Sequence, residues 1–176
     1  MVTKEEVEAK LNTMSDFLKM EYLEYCLKDS DFSVKRFCHQ KLAELYEDRK
    51  MFSEAAKNMS SVAEVSLSFK DKREAYMKEV ELWLKAGHFD MFDNALTRGL
   101  SIGNVSEKEE MKRAIKDLLK RQGQSYEKSM KRGAAVKVYE KLFQMSDTSE
   151  KEGVKLKLME LYDKLGKIRE YMALKK

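Results

Sequence analysis

Leu42–Met59, LAELYEDRKMFSEAAKNM, is the stretch that decides the fold. Its first half carries a small residue, Ala43, with an aromatic one, Tyr46, three positions on, so the two share one face of a helix. Four residues after Tyr46 the pattern breaks, and nine after it a second small residue, Ala55, opens a new apolar stripe. A small residue lets two helices approach closely, and an aromatic one fills the groove beside it. The spacing predicts two antiparallel helices joined by a tight turn.

Three further segments carry the same offsets: VELWLKAGHFDMFDNAL from Val80, GQSYEKSMKRGAAVKVY from Gly123 and MELYDKLGKIREYM from Met159. The aromatic position holds Trp83, Tyr126 and Tyr162, and the packing position of the second helix holds Phe92, Ala135 and Tyr171. Successive aromatics are 37, 43 and 36 residues apart. Gly87 and Gly166 stand four residues after their aromatics, where a left-handed turn conformation suits glycine. One such pair cannot bury its own apolar face, so successive pairs are expected to stack. Ala43, Tyr46, Ala55, Trp83, Tyr126, Ala135, Tyr139 and Tyr162 are the expected buried contacts.

This pattern resembles the tetratricopeptide repeat, whose period is close to 34. Ala43, Tyr46, Phe52 and Ala55 match one repeat, and Gly123, Tyr126, Ala135 and Tyr139 another; Phe92 and Tyr171 replace the small alanine, and no segment ends in proline. The longer periods are similar to those of tetratricopeptide-like subunits of the proteasome lid and of soluble NSF attachment proteins. The resemblance covers roughly residues 32–176. It implies a right-handed α-solenoid of antiparallel helix pairs that binds a partner along the first helices.

Around this centre the chain gives the same class. Proline is absent, glycine occurs seven times in 176 residues, and Lys, Glu, Leu, Met and Ala dominate, so helix formers fill the places where breakers would punctuate a sheet. The fold is expected to be all-α, with about eight or nine helices in one domain over 1–176. N-terminal helices occupy 1–30, started by the capping box of Thr3 and Glu6, and helix pairs occupy 31–67, 70–101, 107–145 and 149–176.

No constellation for catalysis is present: HExxH, GxSxG, GxGxxG and the Walker pattern are all missing. His39 and His88 have no ligand-like neighbours, so neither a metal nor a cofactor is expected. Cys26 and Cys38 form no disulfide framework, which points to a reducing, cytoplasmic location. No apolar run reaches the length of a membrane span.

Charge is unevenly spread. Residues 107–141 hold eleven Lys and Arg against six Asp and Glu, within a chain of net charge +4. Lys112, Lys116 and Lys120 recur at steps of four, with Lys128, Lys131 and Arg132 beyond, so one flank of that helix pair should be basic. The expected function is a non-catalytic scaffold that takes a partner peptide or helix, or a second copy of the chain. Its candidate partner-binding residues, on the first helices, are Gln40, Glu44, Met77, Glu81, Lys120, Gln124, Lys128 and Glu160. The asparagine and lysine set with which some tetratricopeptide domains clamp a terminal carboxylate is replaced by Gln40 and Glu44. The alternative is a nucleic-acid binder using the basic flank 112–132.

Overall fold

A computed structural model describes residues 2–175. They form ten α-helices: α1 (Lys4–Leu11), α2 (Asp16–Cys26), α3 (Phe32–Asp48), α4 (Phe52–Val65), α5 (Phe69–Ala86), α6 (Phe89–Ser101), α7 (Val105–Lys128), α8 (Arg132–Met145), α9 (Thr148–Lys164) and α10 (Ile168–Lys175), with a 3-10 turn at Leu27–Asp29. No strand occurs among the described residues. Ten exceeds the expected eight or nine, but two N-terminal helices, parted at Asn12–Ser15, followed by four pairs match the expected layout. Four first turns, those of α1, α3, α5 and α9, are closed by side-chain caps. Thr3 and Glu6 form the capping box, and Asp31, Ser68 and Asp147 accept the backbone N–H of Val34, Asp71 and Glu150.

Four turns between helices have one backbone. The residue four after each aromatic is left-handed: Lys50 (φ 60°), Gly87 (φ 77°), Met130 (φ 58°) and Gly166 (φ 68°). Its N–H bonds the carbonyl just after the aromatic, and the next N–H bonds the aromatic's own carbonyl, as in Met51 to Tyr46 (2.9 Å), His88 to Trp83 (3.1 Å), Lys131 to Tyr126 (2.8 Å) and Lys167 to Tyr162 (2.9 Å). These paired bonds satisfy two carbonyls that a helix end would otherwise leave open. The following helix starts six residues after the aromatic every time. The turn and the register are thus set together.

The chain folds as two compact units, 1–105 and 106–176. In the first, sequential helices pack antiparallel, α3 on α4, α4 on α5 and α5 on α6, and α2 covers α3. Val7 and Leu11 of α1, Leu23 and Cys26 of α2, and Val34, Phe37, Cys38 and Leu42 of α3 make one apolar cluster. Ala55, Ala56, Val80, Leu82 and Phe92 are buried further along. In the second, α8 packs on α9 and α9 on α10, around Ile115, Leu119, Ala135, Val138, Leu142, Leu158 and Leu161.

Of the eight residues expected to be buried, Ala43, Ala55, Trp83, Ala135, Tyr139 and Tyr162 are. Tyr46 and Tyr126 are only half-buried. A tyrosine can lie over a helix crossing while its hydroxyl stays at the rim, and the Tyr46 hydroxyl donates to Glu24 at 3.3 Å.

The two units repeat one plan. Arg36, ten residues before Tyr46, pairs with Asp71, twelve before Trp83, at 3.1 Å; Lys116, ten before Tyr126, pairs with Glu150, twelve before Tyr162. Glu47, just after Tyr46, takes Lys78, five before Trp83, at 2.9 Å; Glu127, just after Tyr126, takes Lys157, five before Tyr162, at 2.7 Å. Lys78, Glu81 and Lys85 then form a ladder on α5, as Lys157, Glu160 and Lys164 do on α9. Ser66 and Ser146 close α4 and α8 by donating to the carbonyl four residues back. Helices α3–α6 and α7–α10 are therefore two copies of one four-helix motif, with α1 and α2 added ahead of the first. Ion pairs at such exposure contribute little stability each, so their repetition matters mainly for holding successive first helices in register.

Candidate functional site

Between the N-terminal parts of α3 and α5 lies a cleft of about 430 Å³ lined by Lys4, Phe32, Ser33, Arg36, Phe37, Gln40, Val65, Leu67, Ser68 and Asp71. Phe32 and Phe69 begin their helices directly after the capping residues Asp31 and Ser68, where no preceding turn covers a side chain. Both are 67% exposed, and Leu67, in the turn before α5, is 91% exposed. The floor is Phe37, whose ring carries the Lys4 ammonium 5.2 Å from its centroid on one contact and that of Lys41 at 5.9 Å on another. Arg36 and Asp71 close one side with their 3.1 Å ion pair.

The same place in the second unit is also a cleft, about 390 Å³ in volume, but of opposite character. Glu109, Arg113, Lys116, Asp117, Asp147 and Glu150 line it. In the common register Lys116 stands for Arg36, Asp117 for Phe37 and Glu150 for Asp71. Where the Phe37 ring lines the first cleft, the Asp117 carboxylate lines the second. A third, smaller cleft of about 230 Å³ lies among α1, α2 and α3 and includes Lys19, Lys41, Glu44 and Asp48.

The residues named from the sequence are distributed among these surfaces. Gln40 lines the first cleft, and Glu44, paired with Lys41 at 2.7 Å, lines the third. Met77 is half-buried on α5, Glu81 belongs to the Lys78–Lys85 ladder, and Glu160 holds Lys157 and Lys164. Gln124 and Lys128 are exposed on α7. Within the basic flank, Lys112 pairs with Glu109 at 2.7 Å, Lys116 with Glu150 and with Asp147 at 3.5 Å, and Lys120 with Glu150 at 3.2 Å. Lys116 is only 13% exposed. Its ammonium is held protonated above the usual lysine range, first by the Glu150 hydrogen bond, while Glu150 is held below the usual carboxylate range by Lys116 and Lys120. Lys128, Lys131 and Arg132 make no ion pair among the described residues.

One buried polar cluster was not foreseen. Glu79 is 1% exposed, and one of its oxygens accepts from the Trp83 indole N–H at 3.0 Å and from the Arg98 guanidinium at 2.6 Å. Arg98 also donates to the Ser60 hydroxyl at 2.9 Å and lies 5.0 Å over the Tyr76 ring, so α4, α5 and α6 are tied through one side chain. The other Glu79 oxygen, Oε2, has no partner. Burial holds this carboxyl above the usual glutamate range, against the opposing pull of Trp83, Arg98 and Ser60. Glu79 lines none of the three clefts, which makes it a structural tie. His39 bonds Asn58 at 2.9 Å and His88 packs edge-on against Trp83 at 5.8 Å.

Phe32 and Leu67 escaped the sequence reading because they lie outside the periodic faces. A large apolar residue at the first position of a helix, straight after its cap, was the available signal. No group of His, Cys, Asp or Glu among the described residues is arranged to hold a metal ion, and no helix among them is long and apolar enough to cross a membrane. Compared with known family models, with curated proteins and with solved structures, the chain matches none.

Proposed function

We propose that this protein is a non-catalytic, tetratricopeptide-like scaffold of the cytoplasm that docks a partner peptide or helix on the faces of its first helices. The observation carrying this reading is the first-unit cleft, a 430 Å³ depression whose lining includes the largely exposed Phe32 and Leu67. Single exposed apolar residues are ordinary, but two lining one concavity favour a surface that a partner covers. Gln40, read as partner-facing from the repeat offsets, lies in that cleft, which joins the sequence argument to the geometry. Two buried, unpaired cysteines, Cys26 and Cys38, fit a reducing compartment.

The basic flank lends the nucleic-acid alternative little support, since Lys112, Lys116 and Lys120 already have carboxylate partners. The test is quantitative co-purification from the native host with the wild-type chain and with a Phe32→Asp, Leu67→Asp double variant, followed by reconstitution of the recovered chain from purified components. A protein that binds the wild type in reconstitution and loses the variant supports the reading. A partner that binds both equally overturns the choice of surface.

A further inference from the structure

We infer that the occupant of the first-unit cleft is an acidic segment carrying one bulky apolar side chain, an inference that rests on the docking surface proposed above. The apolar requirement follows from the walls. Phe32, Phe37, Val65 and Leu67 present hydrocarbon to the cleft, and its volume admits a side chain of leucine or phenylalanine size rather than a second folded domain. Capping Leu67, which has almost no protein over it, is the largest gain a partner can make here.

The charge requirement follows from what surrounds those walls. Lys4 and Arg36 line the cleft, and Asp71 is its sole carboxylate, already paired with Arg36. Lys4 forms no ion pair among the described residues; its ammonium rests over the Phe37 ring and faces whatever enters. The N-termini of α3 and α5 open beside the cleft and add positive potential, partly offset by the Asp31 cap. An incoming basic segment would meet like charge, whereas a carboxylate would complete the pairing of Lys4 and share Arg36. The equivalent cleft of the second unit supplies the contrast. Four carboxylates, Glu109, Asp117, Asp147 and Glu150, face two cations there, and no apolar residue lines it. The two copies of the motif differ here, apolar and basic in the first and acidic in the second, and only the first cleft has the combination that selects an acidic, apolar-anchored ligand.

The test is titration of the full chain into labelled helical peptides that share one central leucine and differ only in flanking residues, Glu, Gln or Lys, at low and at physiological salt. The Glu peptide should bind about tenfold tighter than the Gln peptide at low salt, the gap should shrink as salt rises, and the Lys peptide should bind weakest. Leu67→Asp should abolish binding of all three, with helix content unchanged because that side chain is solvent-exposed. Lys4→Glu should remove the preference for the Glu peptide while leaving the Gln peptide bound. Equal binding of the three, or preference for Lys, overturns the acidic partner and leaves the docking surface standing. Binding untouched by Leu67→Asp, or no binding of any peptide, overturns both.

Discussion

Gly123 and Tyr139 touch so closely that a Cβ on Gly123 would stand 2.7 Å from Cζ of the Tyr139 ring. The ring cannot swing away freely, because Tyr139 is buried and its hydroxyl donates to Glu127 at 2.6 Å. Alanine usually gains about 0.5–1 kcal/mol over glycine inside a helix, but overpacking costs about 1–3 kcal/mol, so Gly123→Ala should lower stability. Gly153, in α9, has nothing near its missing Cβ, and Gly153→Ala should raise stability by about 0.5–1 kcal/mol. Chemical denaturation of the two variants gives opposite signs if the α7–α8 crossing is as described.

The left-handed turns make a second paired prediction. Lys50 and Met130 hold φ near 60° without being glycine, at a cost of roughly 1 kcal/mol each. Lys50→Gly and Met130→Gly should therefore stabilise, or at least cost nothing, despite the looser unfolded chain. Gly87→Ala should destabilise by roughly 1 kcal/mol although there is open space around it. Thermal midpoints of the three variants check this.

At the second-helix packing position, Ala55→Leu or Ala135→Leu should cost about 1–3 kcal/mol, since both alanines are wholly buried at helix crossings. An unchanged melting temperature for either would mean that the crossing is looser than the burial indicates.

The Glu79 tie predicts a pH effect of definite sign. Its folded-state carboxyl titrates above the ordinary glutamate value, so in the interval between the two the folded chain binds a proton that the unfolded chain has lost. Stability contributed at this site is present at the acid end of that interval and is lost as pH rises through it. Glu79→Gln abolishes the step, and its stability relative to wild type should increase from about pH 4.5 toward neutrality. Arg98→Met, which strips the buried carboxylate of its cation, should cost about 1–3 kcal/mol at neutral pH. Urea melts of both variants across that range measure these effects.

The basic flank should bind no polynucleotide appreciably at about 150 mM salt, because two of its lysines bridge to Glu150 and one to Glu109. Titration of labelled DNA and RNA with the wild type and with a Lys112, Lys116, Lys120, Lys128 to glutamine variant checks it. Micromolar binding lost in the variant would revive the nucleic-acid reading.

Much of the fold was legible in the chain because it is written locally. The aromatic at Tyr46, the break four residues on and the small residue at Ala55 are near neighbours, and helix pairs with short turns are made by neighbours. Gly87 and Gly166 announced their turns; Lys50 and Met130 did not, since nothing in either residue type asks for a left-handed backbone, and only the shared offset marks them. The candidate site was legible in one residue, Gln40. Its exposed apolar residues, Phe32 at a helix start and Leu67 in a turn, lay where periodicity carries no information about exposure.

The sequence by itself determined the helices, their pairing and the register of the four turns, because those depend on residue spacing within about fifteen positions along the chain. Only the tertiary structure decided which charges are free and which are bound. Lys116 meets Glu150, Glu47 meets Lys78 and Glu79 meets Arg98 across 34, 31 and 19 residues, distances over which no local pattern specifies a partner. For the same reason Lys112, Lys116 and Lys120 of the basic stretch along α7 are bound in ion pairs while Lys128, among the described residues, is not, and an unremarked leucine in a turn, Leu67, became the most exposed apolar side chain beside a cleft. Exposure and pairing are properties of the packed whole, fixed by whichever helix the fold brings alongside.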